Sequence, residues 1–552
     1  MEQNDKIPKA AAAAIILLYG MLSLFRLGNP YAPSTSWESR EKASEIFLDF
    51  GEEKEFGSLV FYLGNYENRQ FALQAGIGDP IVWEDLPELT VKRVYQWGTL
   101  PIKAKGRFLR LTALNQFSEI RELIIKDAQG KELIPANRSK YPRLFDEGWM
   151  YPGYASFQTG TVFDEAVFAR TAYEYLHGLR AYEDTHPPLG KLLIAPGIAL
   201  FGMNPFGWRV MGVLAGVLLL AVIWAFCAAL FRDAWVSVGV VALFALDFLH
   251  FTQSRLGQVD IFLVLFMTAM DYFMFRYCQA AVKGEERRSL PYLFGSGICL
   301  GLSASCKWSG LYGGAGLALI WLTLLVCQKK QGKITWRTVR RRLGLSCLAF
   351  AAVPLTIYLL SYIPYIAFDE TMGFWERMGK NQINMFQYHS HMSAVHESAS
   401  RWFEWPVIGR PVKLFGLWFG GGDMERLVLM GNPAFWWPGI AMLFSCLFDM
   451  AEKTEKKLAF LLAAYLAPIL PWMGIGRSSF LYHYYPSLPF LALIMGYWAE
   501  KRGKRGRYCL WGCVGASAIL FILFYPVISG LRVPGAYVEK WLEWLPTWRF
   551  AS

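Results

Sequence analysis

Long apolar runs alternate with short polar segments through most of the chain. A helix needs about 20 apolar residues to cross a bilayer. Eleven runs reach or approach that length, near 9–27, 206–231, 235–253, 258–276, 290–306, 309–328, 343–367, 434–450, 457–475, 480–499 and 508–530. The first follows Lys6 and Lys9 with no small-residue cleavage site behind it, so it is expected to be an uncleaved membrane helix and not a signal peptide. The run Leu189–Phe201 is too short to span and is expected to lie along the membrane surface.

Between the first two spans the periodicity changes. Residues 33–145 carry two-residue alternation at Ser58–Tyr66, Gln70–Gly76, Leu89–Trp97, Arg107–Leu114 and Glu119–Lys126. Turn residues separate these stretches, including Gly64-Asn65 and Asp127-Ala128-Gln129-Gly130. This pattern predicts a small antiparallel β-sandwich. Gly106–Leu114 followed by Ile120–Leu133 resembles the closing strands of a galactose-binding-like jelly roll, whose relatives often bind carbohydrate. A scaffolding role fits the same pattern.

The predicted organisation is a first helix (1–30), a β-sandwich insert (31–148), a first-loop segment with juxtamembrane helices (149–205), helices two to seven (206–368), a second outer loop (369–433), a four-helix C-terminal region (434–530) and a tail (531–552). The tail carries Trp541, Trp544 and Trp548 and is expected to be interfacial.

Composition agrees with a polytopic membrane protein. Hydrophobic residues are 54%, aromatic residues 16% and charged residues only 18%, against about 25% charged in a typical soluble domain. The net charge of +11 does not indicate nucleic acid, because the basic residues fall in short clusters between apolar runs. With the N-terminus inside, the inner loops hold Arg232; Arg276 to Arg288; Lys329 to Arg342; Lys453 to Lys457; and Lys501 to Arg507. Every dense cluster then lies on the cytoplasmic side, as the positive-inside rule requires. The nine cysteines begin at Cys227 and form no CxxC or zinc spacing, so they are read as small apolar residues.

This topology puts all seven histidines at the outer side: His177, His186, His250, His389, His391, His396 and His483. Ionisable groups collected at one face of a bundle point to a site there, although histidines also simply avoid helix interiors. The spacing of His389, His391 and His396 matches no zinc motif, and neither metal nor cofactor is predicted. The densest polar motif is Phe163-Asp164-Glu165, followed by Tyr173 and by Asp184-Thr185-His186-Pro187-Pro188-Leu189-Gly190-Lys191.

These two strings resemble the first-loop signature of the protein O-mannosyltransferases, members of the GT-C class of membrane glycosyltransferases. The resemblance continues through Trp208-Arg209, Gln253-Ser254-Arg255 with Asp260, and Cys306-Lys307-Trp308-Ser309-Gly310. It extends to His389–His396, Ser400–Pro406, Arg410-Pro411-Val412, Gly431-Asn432-Pro433 with Trp436-Trp437, and Arg477–Tyr484. The β-rich insert and the residues around His396 depart from the usual bacterial pattern.

The resemblance implies a GT-C fold and transfer of a hexose, mannose in this family, from a polyprenyl-phosphate carrier to a Ser/Thr hydroxyl of an exported protein. It implies Asp164 as general base; the bland alternative is a helix cap. Glu165, His186, Asp260, His389 and His396 are expected to position acceptor or sugar. Arg209, Arg255, Lys307, Arg477 and Tyr482 are expected at the carrier phosphate, which arginine grips bidentately and lysine meets as a point charge. Each cation alone could instead snorkel to lipid head groups. The expected partners are the carrier-linked donor, an acceptor protein or polymer, and membrane lipid. A lipid or cell-wall polymer acceptor is the close alternative. A transporter would place ionisable groups at mid-bilayer in repeated broken helices, and a carbohydrate sensor would leave the acidic pair and outer cations without a task.

Overall fold

The computed structural model describes residues 2–91, 94–366, 372–391, 397–452 and 455–551. Two compact units divide the chain: Arg26–Arg170 with Gly197–Trp208, and Met1–Phe25, Thr171–Pro196 with Arg209–Ser552.

The first unit is built on an antiparallel six-stranded sheet in the order Val82–Val91, Arg69–Ile77, Trp97–Ala113, Glu45–Tyr62, Glu122–Lys126, Glu132–Leu133. Trp37–Ser39 and Ser118–Ile120 pair separately. Register shifts between Asp49 and Lys54, and between Phe56 and Ser58, bend the long central pair. Ile46, Leu48, Phe56, Leu59, Phe61, Leu73, Leu109, Leu111, Leu123 and Ile125 share one buried core. Alternation therefore located this domain, but three boundaries differ from expectation. Glu45–Tyr62 begins well before Ser58, because Glu52, Glu53, Lys54 and Glu55 interrupt the apolar rhythm at its bend. Leu89–Trp97 is not one strand: the pairing of Val82–Val91 is described to Val91, and Tyr95, at a positive φ of 54°, lies in a bend before Trp97. Glu119–Lys126 divides at Arg121 between the two sheets. The turn at Asp127–Gly130 is as read: Asp127 Oδ1 accepts from the amides of Gln129 (3.0 Å) and Lys131 (2.8 Å), and Gly130 supplies φ 84°.

The second unit is helical. Among the described residues, seven helices are long and apolar enough to cross a membrane: Lys6–Leu24, Pro205–Leu230, Asp260–Val282, Glu286–Cys306, Gly310–Lys330, Trp336–Tyr365 and Gly503–Ser529. Ala234–Ala245 and Phe248–Ser254 pass the same length and composition test together, bent by 62° at the break between them. Asp247 sits at that bend. Its carboxylate accepts from the His250 amide, the Asn432 amide and the Trp436 indole, which fixes where one helix stops and the next starts. The other three predicted runs fall on Pro433–Glu452, on Lys456–Leu466 with the 3-10 turn Leu470–Gly474, and on the 3-10 turn Leu481–Ser487 with Leu488–Lys501. Pro468, Pro471 and Pro486 shorten the last two helices by removing backbone donors.

The segment between Trp336–Tyr365 and Pro433–Glu452 holds the helix Phe374–His391 and the hairpin Val412–Trp418 with Asp423–Leu429, to which Arg532–Pro534 adds a third strand. The tail is not purely interfacial. Trp548 is fully buried and donates its indole N–H to the Ile408 carbonyl at 2.7 Å, while Trp541 and Trp544 stay exposed.

Candidate active site

The stretch Glu183–Lys191 is a tight polar loop ahead of the helix Leu189–Phe201. Glu183 is buried, and its carboxylate takes four donors. Lys191 Nζ, fully buried, pairs with Oε2; the Thr185 amide (2.9 Å), Thr185 Oγ1 (2.6 Å) and His186 Nδ1 (2.9 Å) meet Oε1. Lys191 also donates to the carbonyls of Glu183 (3.0 Å) and His186 (2.8 Å). Burial alone would raise the Glu183 pKa, but Lys191 and His186 outweigh it and hold the carboxyl well below the usual range. Pro187 and Pro188 then fix the chain direction.

The helix Phe374–His391 is fastened to this loop. Asn381 Nδ2 donates to the Asp184 carbonyl (2.7 Å), Asn384 Nδ2 to the Asp184 carboxylate (2.9 Å), and His389 Nε2 to the Thr185 carbonyl (2.8 Å). Burial, then the charge of Glu183, raises the Asp184 pKa.

Between these elements and two further turns lies a cavity of about 430 Å³. His186 and Pro187 come from the first loop, and Phe386, His389 and Ser390 from the fastened helix. Lys307, Trp308 and Ser309 come from the turn after Glu286–Cys306, and Trp472 and Arg477 from the segment after Lys456–Leu466. Lys307 Nζ pairs with Asp260 at 2.9 Å and lies 5.4 Å from the Tyr482 ring centroid. The Arg477 guanidinium lies over the Trp472 ring at 5.5 Å. His186 and His389 meet edge to face, their centroids 5.2 Å apart. Burial pushes the His389 pKa down to about 4, helped by His186, and lowers that of His186. Burial thus favours the neutral form of both rings, and Lys307 and Arg477 are the basic side chains of the lining.

The structure thus gathers His186, His389, Lys307 and Arg477 around one cavity, with Asp260 and Tyr482 supporting Lys307. It does not bring Arg255 there. Arg255 Nη1 donates to the carbonyls of Ser23 (3.0 Å) and Phe25 (2.7 Å), so this arginine clamps the end of the first helix. Arg209 is fully buried and does not line the cavity. Asp260 pairs with Lys307 and lines a small neighbouring pocket with Lys307, Trp472 and Tyr482. His396 lies outside the described residues.

Asp164 opens the helix Glu165–Leu176, after Phe163 at a positive φ of 52°. Its carbonyl accepts from the amides of Val167 (3.1 Å) and Phe168 (2.9 Å). Glu165 is fully buried, and Oε2 accepts from the Val162 amide at 2.9 Å, which shapes the Asp164 turn. Among the described residues the groups of carboxylate, histidine or cysteine ligand atoms close enough for a metal reduce to Glu122, Asp146 and Glu147 in the β-rich unit, within 4.8 Å of one another. Ser34 and Thr35 already donate to Asp146 and Glu147.

Sequence reasoning passed over Glu183, Asn381 and Asn384. An acidic residue three before a histidine and eight before a lysine, in a proline-locked turn, was the available signal for Glu183.

Comparison with known proteins places this geometry. The profile "C-terminal four TMM region of protein-O-mannosyltransferase" matches residues 374–548. Two profiles described as "Dolichyl-phosphate-mannose-protein mannosyltransferase" match 155–208 and 185–360. The polyprenol-phosphate-mannose–protein mannosyltransferase of Mycolicibacterium smegmatis is 28% identical over 454 residues, 70% of this chain and 87% of its own length. That of Mycobacterium tuberculosis is 28% identical over 458 residues, 70% of this chain and 86% of its own. The Saccharomyces cerevisiae Pmt1-Pmt2 complex bound to the sugar donor contains a chain that superposes with a TM-score of 0.63 at 14% identity, over 71% of this chain and 89% of that one. The fold is that of a GT-C membrane glycosyltransferase carrying a sheet-rich N-terminal domain. Within that class, the chain belongs to the protein O-mannosyltransferase family.

Proposed function

We propose that this protein transfers a mannosyl residue from a polyprenyl-phosphate carrier to a Ser/Thr hydroxyl of an exported protein. The reaction takes place at the outer face of the cell membrane, with the N-terminus cytoplasmic. The observation that carries the reading is the cavity that sets Lys307 and Arg477 beside two imidazoles, in a chain whose relatives are named as polyprenol-phosphate-mannose mannosyltransferases.

The donor already holds a good leaving group. The family resemblance implies Asp164 as the base that takes the proton of the acceptor hydroxyl, whose oxygen attacks the anomeric carbon as the bond from that carbon to the phosphate oxygen breaks. One in-line displacement inverts the anomeric centre. Charge grows on the departing phosphate, where Lys307 and Arg477 meet it, and preorganised cations in a water-poor site give their largest return there. Asp260 pairs with Lys307 and holds it in place.

The test uses full-length protein in lipid vesicles with radiolabelled polyprenyl-phosphate mannose and a Ser/Thr peptide. Mannosyl-peptide is expected, and Asp164→Asn is expected to reduce it about 1,000-fold without reducing expression. Absence of labelled peptide with the wild type, or full activity of the variant, overturns the reading. Label found on lipid or polymer would reassign the acceptor.

A further inference from the structure

Two basic clusters between spans are alike in sequence and unlike in structure. In the cluster at 501–507, Lys501 pairs with Asp449 (3.4 Å) and Glu455 (3.2 Å), Arg502 with Asp449 (3.4 Å) and Arg507 with Asp233 (3.2 Å). Those cations tie helix ends together. The segment 329–347 carries seven lysines and arginines and no acidic residue. One of the seven is committed to the fold: Arg342 is buried, and its guanidinium donates to the Glu286 carboxylate (3.2 Å) and to Gln328. Lys329 lies over the Trp336 ring at 4.9 Å. The other five, Lys330, Lys333, Arg337, Arg340 and Arg341, are exposed, and none of them has an ion pair among the described residues.

Helix length places these five at a definite depth. Trp336–Tyr365 is a span of 30 residues, about 45 Å long at 1.5 Å per residue, against about 30 Å of hydrocarbon. Its part without charged residues runs from Leu343 to Tyr365 and fills the hydrocarbon. The first two turns, 336–342, therefore stand at head-group level. Arg337, Arg340 and Arg341 are spaced i, i+3, i+4 and share one side of the helix; Lys330 and Lys333 lie in the segment that leads into it. Arg342 fixes the rotation of the helix by gripping Glu286 and Gln328, and the three arginines stay exposed. Trp336 and Leu343, both exposed, flank them, and tryptophan favours the membrane interface. The rest of the chain covers only 6% of this span's apolar window, against 50% for Pro205–Leu230 and 72% for Asp260–Val282. The helix is open to lipid along its length.

We infer that Lys330, Lys333, Arg337, Arg340 and Arg341 form a docking surface for the head groups of anionic phospholipids at that end of the span. Arginine grips phosphate bidentately and lysine meets it as a point charge. On the orientation proposed above, the lipids are those of the cytoplasmic leaflet. A nucleic acid or an acidic protein would meet the same charges in water, but the arginines sit in the layer where lipid phosphate already is, beside two exposed apolar side chains.

The test uses the full-length protein in detergent micelles, where lipid reaches both ends of the molecule and orientation plays no part. Native mass spectrometry gives dissociation constants for phosphatidylglycerol and for phosphatidylcholine with the same acyl chains. The wild type is expected to prefer phosphatidylglycerol, and the preference should shrink as salt rises. Arg340→Gln with Arg341→Gln should weaken phosphatidylglycerol binding about 10-fold and leave phosphatidylcholine unchanged. Lys504→Gln with Arg505→Gln removes the same charge from the other cluster and should change it little. Equal losses in the two variants, or a wild type without preference, overturn the inference. Tighter binding of an RNA oligonucleotide or an acidic peptide than of the lipid also overturns it. A second measurement needs no variant: photoactivatable phosphatidylglycerol should label the wild type within 329–347 more than in the other basic loops, and labelling concentrated elsewhere overturns the inference. Mannosyl transfer is expected to persist in both variants, since none of the four residues lines the cavity. Labelling of Lys330 from outside intact cells would overturn the proposed orientation and leave the lipid assignment standing.

Discussion

Two polar clusters of the helical unit contain the same kinds of residues and do different work. At the end of the first helix, Arg255 is tied to the carbonyls of Ser23 and Phe25, Tyr19 hydrogen-bonds Ser254 at 2.6 Å, and His250 meets Tyr485 at 2.7 Å. Every partner there belongs to the packing of helices on one another. At the cavity, Lys307 is held by one carboxylate and lies near one aromatic ring, Arg477 lies over another ring, and both line open space. A cation bound to helix-end carbonyls completes the fold, because those carbonyls lack intrahelical partners. A cation at a cavity wall is placed where a ligand can meet it. Residue type and helix-end position are alike in the two cases; the partners decide.

The sharpest attack on this contrast is Lys307→Met or Arg477→Met. Each is expected to lower kcat/KM for the donor by about 100- to 1,000-fold while thermal stability stays near wild type. A large loss of stability instead would put these residues in the same class as Arg255. Arg255→Met should do the reverse. Loss of charged hydrogen bonds to buried carbonyls costs about 3 kcal/mol, seen as a lower unfolding midpoint, with an unchanged donor KM in the protein that remains folded.

Two buried carboxyl groups extend the comparison to pH. Glu183, paired with Lys191 and His186, has a depressed folded pKa. Its contribution to stability is present above the unfolded value near 4.5 and is lost as pH falls further. Glu122 is buried beside Asp146 and Glu147, and its pKa is raised from 4.5 to about 8. Its contribution is full below the unfolded value and is lost as pH rises through about 8. Glu122→Gln should therefore raise the unfolding midpoint of the full chain by about 3 °C in alkaline buffer and have little effect in acid; an equal shift at both ends would show that charge is not the cause. The smallest effect is expected from Asp184→Ala. Loss of the exposed Asn384 hydrogen bond should loosen Phe374–His391 by about 1 kcal/mol, read as faster amide exchange in that helix, with kcat/KM down only severalfold.

The helices and the β-rich domain were legible because their signals are local and repeated. Each of the eleven apolar runs falls on helical structure, and the core strands carry the expected alternation. The bend in Glu45–Tyr62 was not legible, since four charged residues within the strand read as a loop until pairing with Trp97–Ala113 is known. Lys307, Arg477, His186 and His389 were all singled out from one-dimensional context, and all line the cavity. Arg255, Arg209 and Glu165 were singled out by the same reasoning and do not line that cavity, while Asp260 pairs with Lys307 at its edge. Glu183 was missed because an acidic residue in a polar loop reads as solvated until Lys191 is seen buried against it.

Periodicity and the sidedness of charge are written along the chain, because hydrophobic burial and membrane insertion act on local composition. They determined which segments are helix, which are strand and which lie outside the spans. Which nitrogen of an imidazole holds its proton, and whether a buried cation closes the fold or faces a ligand, depends on groups up to hundreds of residues away, as with His389 and Thr185, 204 positions apart. Hydrogen bonds are short-ranged and directional, so only the tertiary structure, by setting those partners within 3 Å, could decide them.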